Sequence, residues 1–301
     1  MDATQRILQR APARTSRTLV PTPLPILYVT VAIFGLAFGS FLNVCIARLP
    51  RGESIVSPRS HCPICHHPLR WYDNVPVLSF LLLGGHCRNC RANISLIYPT
   101  VEILTAAVLV MTFARYRLSP EFIKYAVLGM LLIILVFTDL SHRRIPHPVT
   151  LLGLALGLLL SLMIPVDPRP VDWILQHLGS EPSFPFSSVA ASLAGAAVGG
   201  GIFYAVAWMF FRLTGKEGLG FGDVMLMLMV GTFFGVPLTL LTILLGSLLG
   251  TLVAVPLELL SSRFRHHPWP FGAFLGIAAV YVSLGGQALL EAYLRWAGLA
   301  G

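Results

Sequence analysis

The chain has 301 residues, of which 55% are hydrophobic and only 11% charged, and its mean hydropathy is +0.77. Soluble domains carry about a quarter charged residues, so a water-soluble globular protein is excluded and the bilayer is the expected solvent. The formal net charge of +8 falls mostly in short loops between apolar runs, which fits membrane orientation rather than a nucleic-acid-binding face.

In chain order, residues 1–25 form a polar tail carrying Arg6, Arg10, Arg14 and Arg17. The first apolar run, 26–46, is long enough to cross a membrane. No Ala-x-Ala site follows it, so it reads as a retained helix rather than a cleaved signal. Residues 47–96 are the only sizeable polar segment, rich in Pro, His and Cys. A unit that small needs a metal or disulfides. Seven further apolar runs follow at 97–115, 121–138, 148–165, 187–211, 224–236, 238–260 and 271–290, with a tight gap at Gly235-Val236-Pro237. The expected fold is an all-α polytopic membrane protein. It has about eight transmembrane helices, a small zinc-binding cytoplasmic domain between the first and second, and a membrane domain over 97–301. Gly195/Gly199 and Gly246/Gly250 have the GxxxG spacing of closely packed helices.

Orientation follows from Lys and Arg. With 47–96 inside, that side collects Arg48, Arg51, Arg59, Arg70, Arg88, Arg91, Arg143, Arg144, Arg212, Lys216, Arg263 and Arg265. The outer loop after the fourth run keeps Arg169 against Asp167, Asp172 and Glu181. This is the positive-inside pattern. The tail arginines, Arg115, Arg117 and Lys124 run against it.

Cys62-Pro-Ile-Cys65 and Cys87-Arg-Asn-Cys90 are two CxxC pairs separated by 21 residues. Each aims two thiolates at one point, and together they supply the four sulfurs of a closed, structural tetrahedral zinc site. In a reducing compartment a metal is the better reading than disulfides or redox dithiols. His61, His66, His67 and His86 stand beside the cysteines as alternative ligands. Cys45, alone in an apolar run, is expected to pack as a small hydrophobe.

Two of the six Asp residues stand at the ends of apolar runs, where a carboxylate is costly. Asp139 closes the third run in Thr138-Asp139-Leu-Ser-His-Arg-Arg-Ile-Pro146, and Asp223 opens the sixth behind Gly218, Gly220 and Gly222. The helix count puts both on the basic side. Two adjacent carboxylates cannot both ionise cheaply, so they share a proton and can act as general base and general acid on a peptide bond. Gly220 and Gly222 would let an extended substrate backbone approach Asp223. Taken singly, Asp223 would serve equally as a helix cap and Asp139 as a partner of Arg143 or Arg144.

These segments resemble the type IV prepilin peptidases, also called leader peptidase/N-methyltransferases. The likeness rests on Gly39-Ser-Phe-Leu-Asn43-Val-Cys-Ile-Ala-Arg48-Leu-Pro50, Ser60-His-Cys62-Pro-Ile-Cys65, Leu69-Arg-Trp71-Tyr-Asp73-Asn74-Val-Pro76, Cys87-Arg-Asn-Cys90 and Tyr98-Pro-Thr-Val-Glu102. Lys216-Glu-Gly-Leu-Gly-Phe-Gly-Asp223-Val resembles the GxGD motif, which presenilin-type proteases share more distantly. The resemblance implies an inner-membrane aspartic protease, with 97–301 its protease domain and Asp139 and Asp223 its catalytic pair. Its expected substrates are prepilins or pseudopilins, cut after a Gly at the cytoplasmic face. It also implies N-methylation of the new N-terminus with S-adenosylmethionine, and zinc on Cys62, Cys65, Cys87 and Cys90. Met225 stands where the family often has Lys, and no Gly-rich nucleotide-binding fingerprint is visible. Asn43, Arg48 and Glu102 read either as contacts to substrate or cofactor or as structural anchors, and Glu217 and Asp73 as partners for a basic leader. Three rivals explain less. A proton- or ion-coupled transporter accounts for the Asp pair but not the tetracysteine loop. A zinc-stapled scaffold leaves the Asp pair unexplained, and a methyltransferase without protease activity would not need it.

Overall fold

A computed structural model describes residues 24–177, 179, 183–216, 218–260 and 269–298. The tail arginines, Glu181, Glu217, Arg263 and Arg265 lie outside the described residues. Ten α-helices form among those described: α1 (Leu24–Arg48), α2 (Leu78–Leu82), α3 (Ile97–Tyr116), α4 (Pro120–His142), α5 (His147–Ser161), α6 (Arg169–His177), α7 (Phe186–Thr214), α8 (Phe221–Leu260), α9 (Phe271–Tyr281) and α10 (Gln287–Trp296). A π-helical stretch, Val282–Gly286, joins α9 to α10. No strand forms among the described residues, only the isolated bridges His61 to Pro68 and His86 to Asn93.

Among the described residues six helical stretches are long and apolar enough to cross a membrane: Leu24–Arg51, Ile97–Tyr116, Pro120–His142, Phe186–Thr214, Phe221–Leu260 and Phe271–Trp296, together with the shorter apolar α5. The eight runs expected from sequence are all helical, and the difference in count comes from α5 and α8. The 40 residues of α8 are broken at Gly235, whose backbone (φ 70°, ψ −176°) leaves the helix just before Pro237. Glycine enters that region without the Cβ penalty. The chain reverses there. A Cβ on Gly199 would lie 2.6 Å from Met227 O and 2.9 Å from Thr239 Cγ2, so both arms of α8 face the same point on α7. Each arm is then a separate apolar passage.

The expected glycine contacts are present. A Cβ on Gly195 would stand 2.4 Å from Gly231 O, and one on Gly231 2.2 Å from Gly195 O, so α7 and α8 touch backbone to backbone. Gly246 and Gly250 receive Leu275 and Phe274 of α9. The buried core is apolar and continuous, running through Leu128, Leu132 and Leu135 of α4, Leu226, Met229 and Phe233 of α8, and Leu275 of α9. Cys45 joins it as expected. The outside is apolar too. Ile33 and Phe34 on α1, Trp208 and Phe211 on α7, and Leu244, Leu248 and Leu252 on α8 are all exposed. Such a belt would aggregate in water and is what lipid requires.

Candidate active site and metal centre

Three helix ends meet at one rim of the bundle. The first is the C-terminus of α4. Arg143 takes a left-handed conformation (φ 53°), and its N–H donates to Asp139 O at 2.9 Å, closing the helix. Asp139 is therefore in the last turn of α4, buried, with its side chain turned inward. The second is the start of α8. The Asp223 N–H donates to Gly220 O at 3.0 Å as the glycine-rich segment turns into the helix, leaving Asp223 half-buried in the first turn. The third is the start of α9, where the Ala273 N–H donates to Asp139 Oδ2 at 2.8 Å.

Gly272 is where the two carboxylates converge. A Cβ built on it would lie 2.9 Å from Asp223 Oδ1 and 3.1 Å from Asp139 Oδ2. Two oxygens so close to one point are no more than about 6 Å apart. The same Cβ would press on Ile145 Cδ1 at 2.7 Å, and a Cβ on Gly222 would meet Ile145 Cβ at 2.9 Å. Ile145 is thus an apolar wall beside the pair. Ile145 and both carboxylates line the same cleft of about 800 Å³, together with Gly220, Gly222, Arg143, His147 and Trp269.

Gly220 and Gly222 both reach the cleft but differ. Gly222 is packed against Ile145, whereas the nearest atom to a Cβ on Gly220 is Asp223 Oδ2 at 3.8 Å. Gly272, Ala273 and Ile145 went unnoticed in the sequence. The segment Trp269-Pro-Phe-Gly272-Ala shows only a Gly two residues after a helix-starting Pro, which does not single it out. Met225 is half-buried.

The four cysteines converge elsewhere. Their Sγ atoms lie within 4.8 Å of one another. Two matching turns carry them. In the first, Cys62 N–H donates to His67 O and His66 N–H to Cys62 O, at 3.0 and 2.9 Å. In the second, Cys87 N–H donates to Ala92 O and Arg91 N–H to Cys87 O, at 2.8 and 3.0 Å. His66 and Arg91 hold the equivalent positive φ, 54° and 60°. All four thiols are free of disulfides. The Cys62 and Cys90 sulfurs are 3.8 Å apart, close to the ~3.8 Å edge of a tetrahedron with 2.3 Å zinc–sulfur bonds. The N–H of His67, with the Asn89 amide, lowers the Cys65 thiol to about 6. The N–H groups of Cys90 and Asn89 hold the Cys87 thiol below its ordinary value. Against the lowering effect of the Ala92 N–H, burial and the crowd of neighbouring sulfurs push the Cys90 thiol the other way, up to about 11, because gathered thiolates repel one another unless a cation neutralises them. Four convergent sulfurs are a donor set that fits zinc. His61 and His86 instead approach the carbonyls of Arg59 and Gly84.

The remaining motif side chains are anchors. Asn43 donates to Tyr98 O at 3.0 Å. Arg48 donates to Ser54 O and Pro58 O at 2.9 and 2.8 Å, and Glu102 accepts the Val77 N–H at 2.7 Å. Asp73, a sequence candidate for contacting a basic leader, is paired with Arg88 at 2.8 Å.

A multi-pass helical membrane protein, with two carboxylates brought together at one rim and a tetracysteine knob beside the first helix, is the class these features define. Residues 33–116 match the family model of the bacterial peptidase A24 N-terminal domain, and residues 126–255 that of the type IV leader peptidase family. The prepilin leader peptidase/N-methyltransferase of Aeromonas hydrophila is 35% identical over 298 residues, covering 90% of this chain and 95% of its own. The proteins of the same description from Pseudomonas aeruginosa PAO1 and Xanthomonas campestris pv. campestris are 32% and 33% identical. They cover 93% and 90% of this chain and 97% and 96% of their own lengths. No solved structure matches the chain. The chain belongs to the prepilin leader peptidase/N-methyltransferase family. It is an enzyme, an endopeptidase of the prepilin peptidase kind, in a family named also for N-methyl transfer.

Proposed function

We propose that the chain removes the basic leader of type IV prepilins or pseudopilins, cutting after a Gly at the cytoplasmic face of the inner membrane, with Asp139 and Asp223 as the catalytic pair. The observation that carries this is the convergence of both carboxylates on Gly272, with both lining a cleft of about 800 Å³. One proton serves the pair. The ionised carboxylate takes a proton from water as the water oxygen attacks the scissile carbonyl. The protonated carboxyl gives its proton to the carbonyl oxygen. As the tetrahedral species collapses, the proton taken from water passes to the leaving nitrogen and a gem-diol hydroxyl returns its proton to the other carboxylate, so the mature N-terminal amine and a new carboxyl end are released. The Ala273 N–H fixes the orientation of Asp139, and Ile145 walls one side of the pair. The open space at Gly220 suits a substrate backbone running past Asp223. The excess of arginine on the knob side supports the cytoplasmic orientation.

The tetracysteine knob holds a structural zinc on Cys62, Cys65, Cys87 and Cys90, which keeps the two turns together. For the methyl-transfer activity, S-adenosylmethionine is the expected donor. A second cleft of about 470 Å³ between α1 and the knob, lined by Phe41, Arg59, Arg70 and Trp71, has room for it. Its guanidinium groups suit the donor's carboxylate, and the exposed Trp71 indole suits its adenine.

Co-expression with a prepilin, read by mass, tests both activities. Asp139→Asn and Asp223→Asn are each expected to leave the leader uncut while the protein still inserts. Normal processing by either variant refutes the pair. Trp71→Ala is expected to deplete the added methyl mass while leader removal continues, and unchanged methylation removes the second cleft from consideration.

A further inference from the structure

The segment between the two cysteine turns contains a feature that neither peptide cleavage nor zinc binding uses. Residues 75–85, Val-Pro-Val-Leu-Ser-Phe-Leu-Leu-Leu-Gly-Gly, carry no ionisable side chain, although the flanking knob holds Arg59, Arg70, Arg88 and Arg91. Within them α2 turns Leu78, Leu81 and Leu82 outward, exposed by 52, 67 and 77%. These are positions i, i+3 and i+4, one face of the helix. Ser79 on the other side is buried.

The depth of α2 is fixed by a strained turn. Val77, a β-branched residue, has φ 58° and ψ −47°, a region such residues avoid. The Leu78 N–H donates back to Pro76 O at 2.5 Å, which makes a γ-turn of the rarer, positive-φ kind. The turn is held from outside, because the Val77 N–H donates to Glu102 Oε2 at 2.7 Å. Glu102 is in the second turn of α3. With 1.5 Å per residue, the 20 residues of α3 are just enough for the ~30 Å hydrocarbon core. A helix tied to Glu102, five residues and so about 7.5 Å past Ile97, therefore lies just inside the point where α3 enters the bilayer.

The backbone is equipped for that depth. Lipid tolerates a segment only when its polar groups are satisfied internally. The N–H groups of Ser79, Leu81, Leu83, Gly84 and Gly85 donate to carbonyls within the same stretch. Glu102 supplies a partner from outside the stretch for the Val77 N–H. The entry to α3 is apolar and exposed as well, at Leu96, Ile97, Ile103 and Leu104. A protein-binding patch would carry a polar rim, and 75–85 offers none.

We propose that α2 is an interfacial membrane segment. Its Leu78, Leu81 and Leu82 face enters the acyl boundary of the leaflet where α3 begins, and Glu102 pins it there, so that the tetracysteine knob is seated on the bilayer rather than suspended from the ends of α1 and α3. The occupant of the face is lipid acyl chain.

The test is photocrosslinking of the full chain in phosphatidylethanolamine/phosphatidylglycerol vesicles. Benzoyl-phenylalanine replaces Leu81 or Leu82, with Ile103 of α3 as the lipid-facing control and Ile64 at the tip of the first cysteine turn as the aqueous one. Acyl adducts at 81 and 82 are expected within about threefold of the yield at 103 and at least about tenfold above that at 64. Yields at 81 and 82 no higher than at 64, or crosslinks there to protein, overturn the proposal. Glu102→Ala is expected to cut the adduct yield at 82 severalfold, whereas Glu102→Gln, which keeps an acceptor, retains it. An unchanged yield with Ala refutes the pinning role.

Discussion

Gly272→Ala adds one carbon at the point where both carboxylates and their apolar wall meet. The new Cβ would stand 2.7 Å from Ile145 Cδ1, 2.9 Å from Asp223 Oδ1 and 3.1 Å from Asp139 Oδ2. Unstrained carbon contacts begin near 3.5 Å, so Ile145 must withdraw by roughly 0.8 Å and each carboxylate by a few tenths. Asp139 is the less free to move, because its Oδ2 also accepts the Ala273 N–H at 2.8 Å. A misplacement of about 1 Å at a reacting group costs on the order of 100-fold in rate. Half that displacement gives an expected loss of kcat between about 10- and 100-fold, or 1.4 to 2.7 kcal/mol of barrier.

The fold should hardly notice. Alanine is favoured over glycine in a helix interior by up to about 1 kcal/mol. That gain is smaller in the first turn of α9, but it opposes the cost of shifting Ile145. The assay is single-turnover leader removal, followed by mass, with thermal unfolding measured on the same detergent preparation. Gly201→Ala is the matched control, since a Cβ there meets nothing within 4 Å. It should cleave normally. Wild-type kcat for Gly272→Ala would refute the claim that Gly272 sets the carboxylate spacing. A loss of folded protein equal to the loss of activity would refute the separation of site from scaffold.

Metal analysis of purified protein is expected to find one zinc per chain, and Cys87→Ser should abolish it. Hydrogen exchange should then rise across 60–93 while α4 and the first arm of α8 stay protected, and retained stoichiometric zinc would refute the ligand set. Gly231→Val would force a branched side chain to within 2.2 Å of Gly195 O, where neither backbone can retreat. A destabilisation of about 3 kcal/mol is expected, read as a lower Tm in detergent, and an unchanged Tm would deny backbone contact between α7 and α8. Lys124 is only 1% exposed; its Nζ reaches Pro165 O at a long 3.4 Å and stands 5.4 Å from the Tyr125 ring centre, with the Glu121 carboxylate as an opposite charge acting on it. Replacing a poorly compensated buried charge by an apolar side chain of similar length is often neutral or stabilising. Lys124→Met should therefore leave Tm unchanged or higher, and a fall of several degrees would reveal a stronger partner.

What the sequence could express was whatever local chemistry marks. Apolar runs broken by Pro and Gly located the helical passages, down to the Gly235-Val-Pro237 gap that divides α8. Paired CxxC spacings marked the four sulfurs that gather within 4.8 Å. Asp139 and Asp223 were legible because a carboxylate at the edge of an apolar run is expensive, and counting passages put both at one rim. Gly272 was not legible. Its importance lies in three neighbours from α4, the following loop and α8, and nothing in its own surroundings marks a glycine that faces carboxylates rather than leucines. Glu102 was visible as a possible structural anchor but not as the acceptor for Val77, because a backbone N–H has no sequence signature. For the same reason α2 was hidden inside a segment read as polar throughout. Its nine-residue apolar stretch, 75–83, is too short for a span and is interrupted by Pro76 and Ser79. Both omissions have one physical cause. Side-chain chemistry is written in the sequence, but the backbone amides of Ala273 and Val77 find their acids only once helices distant in the chain have packed. Those two amides hold Asp139 at the cleft and tie α2 to α3. The least legible atoms therefore position two of the features on which the proposals for catalysis and membrane seating depend.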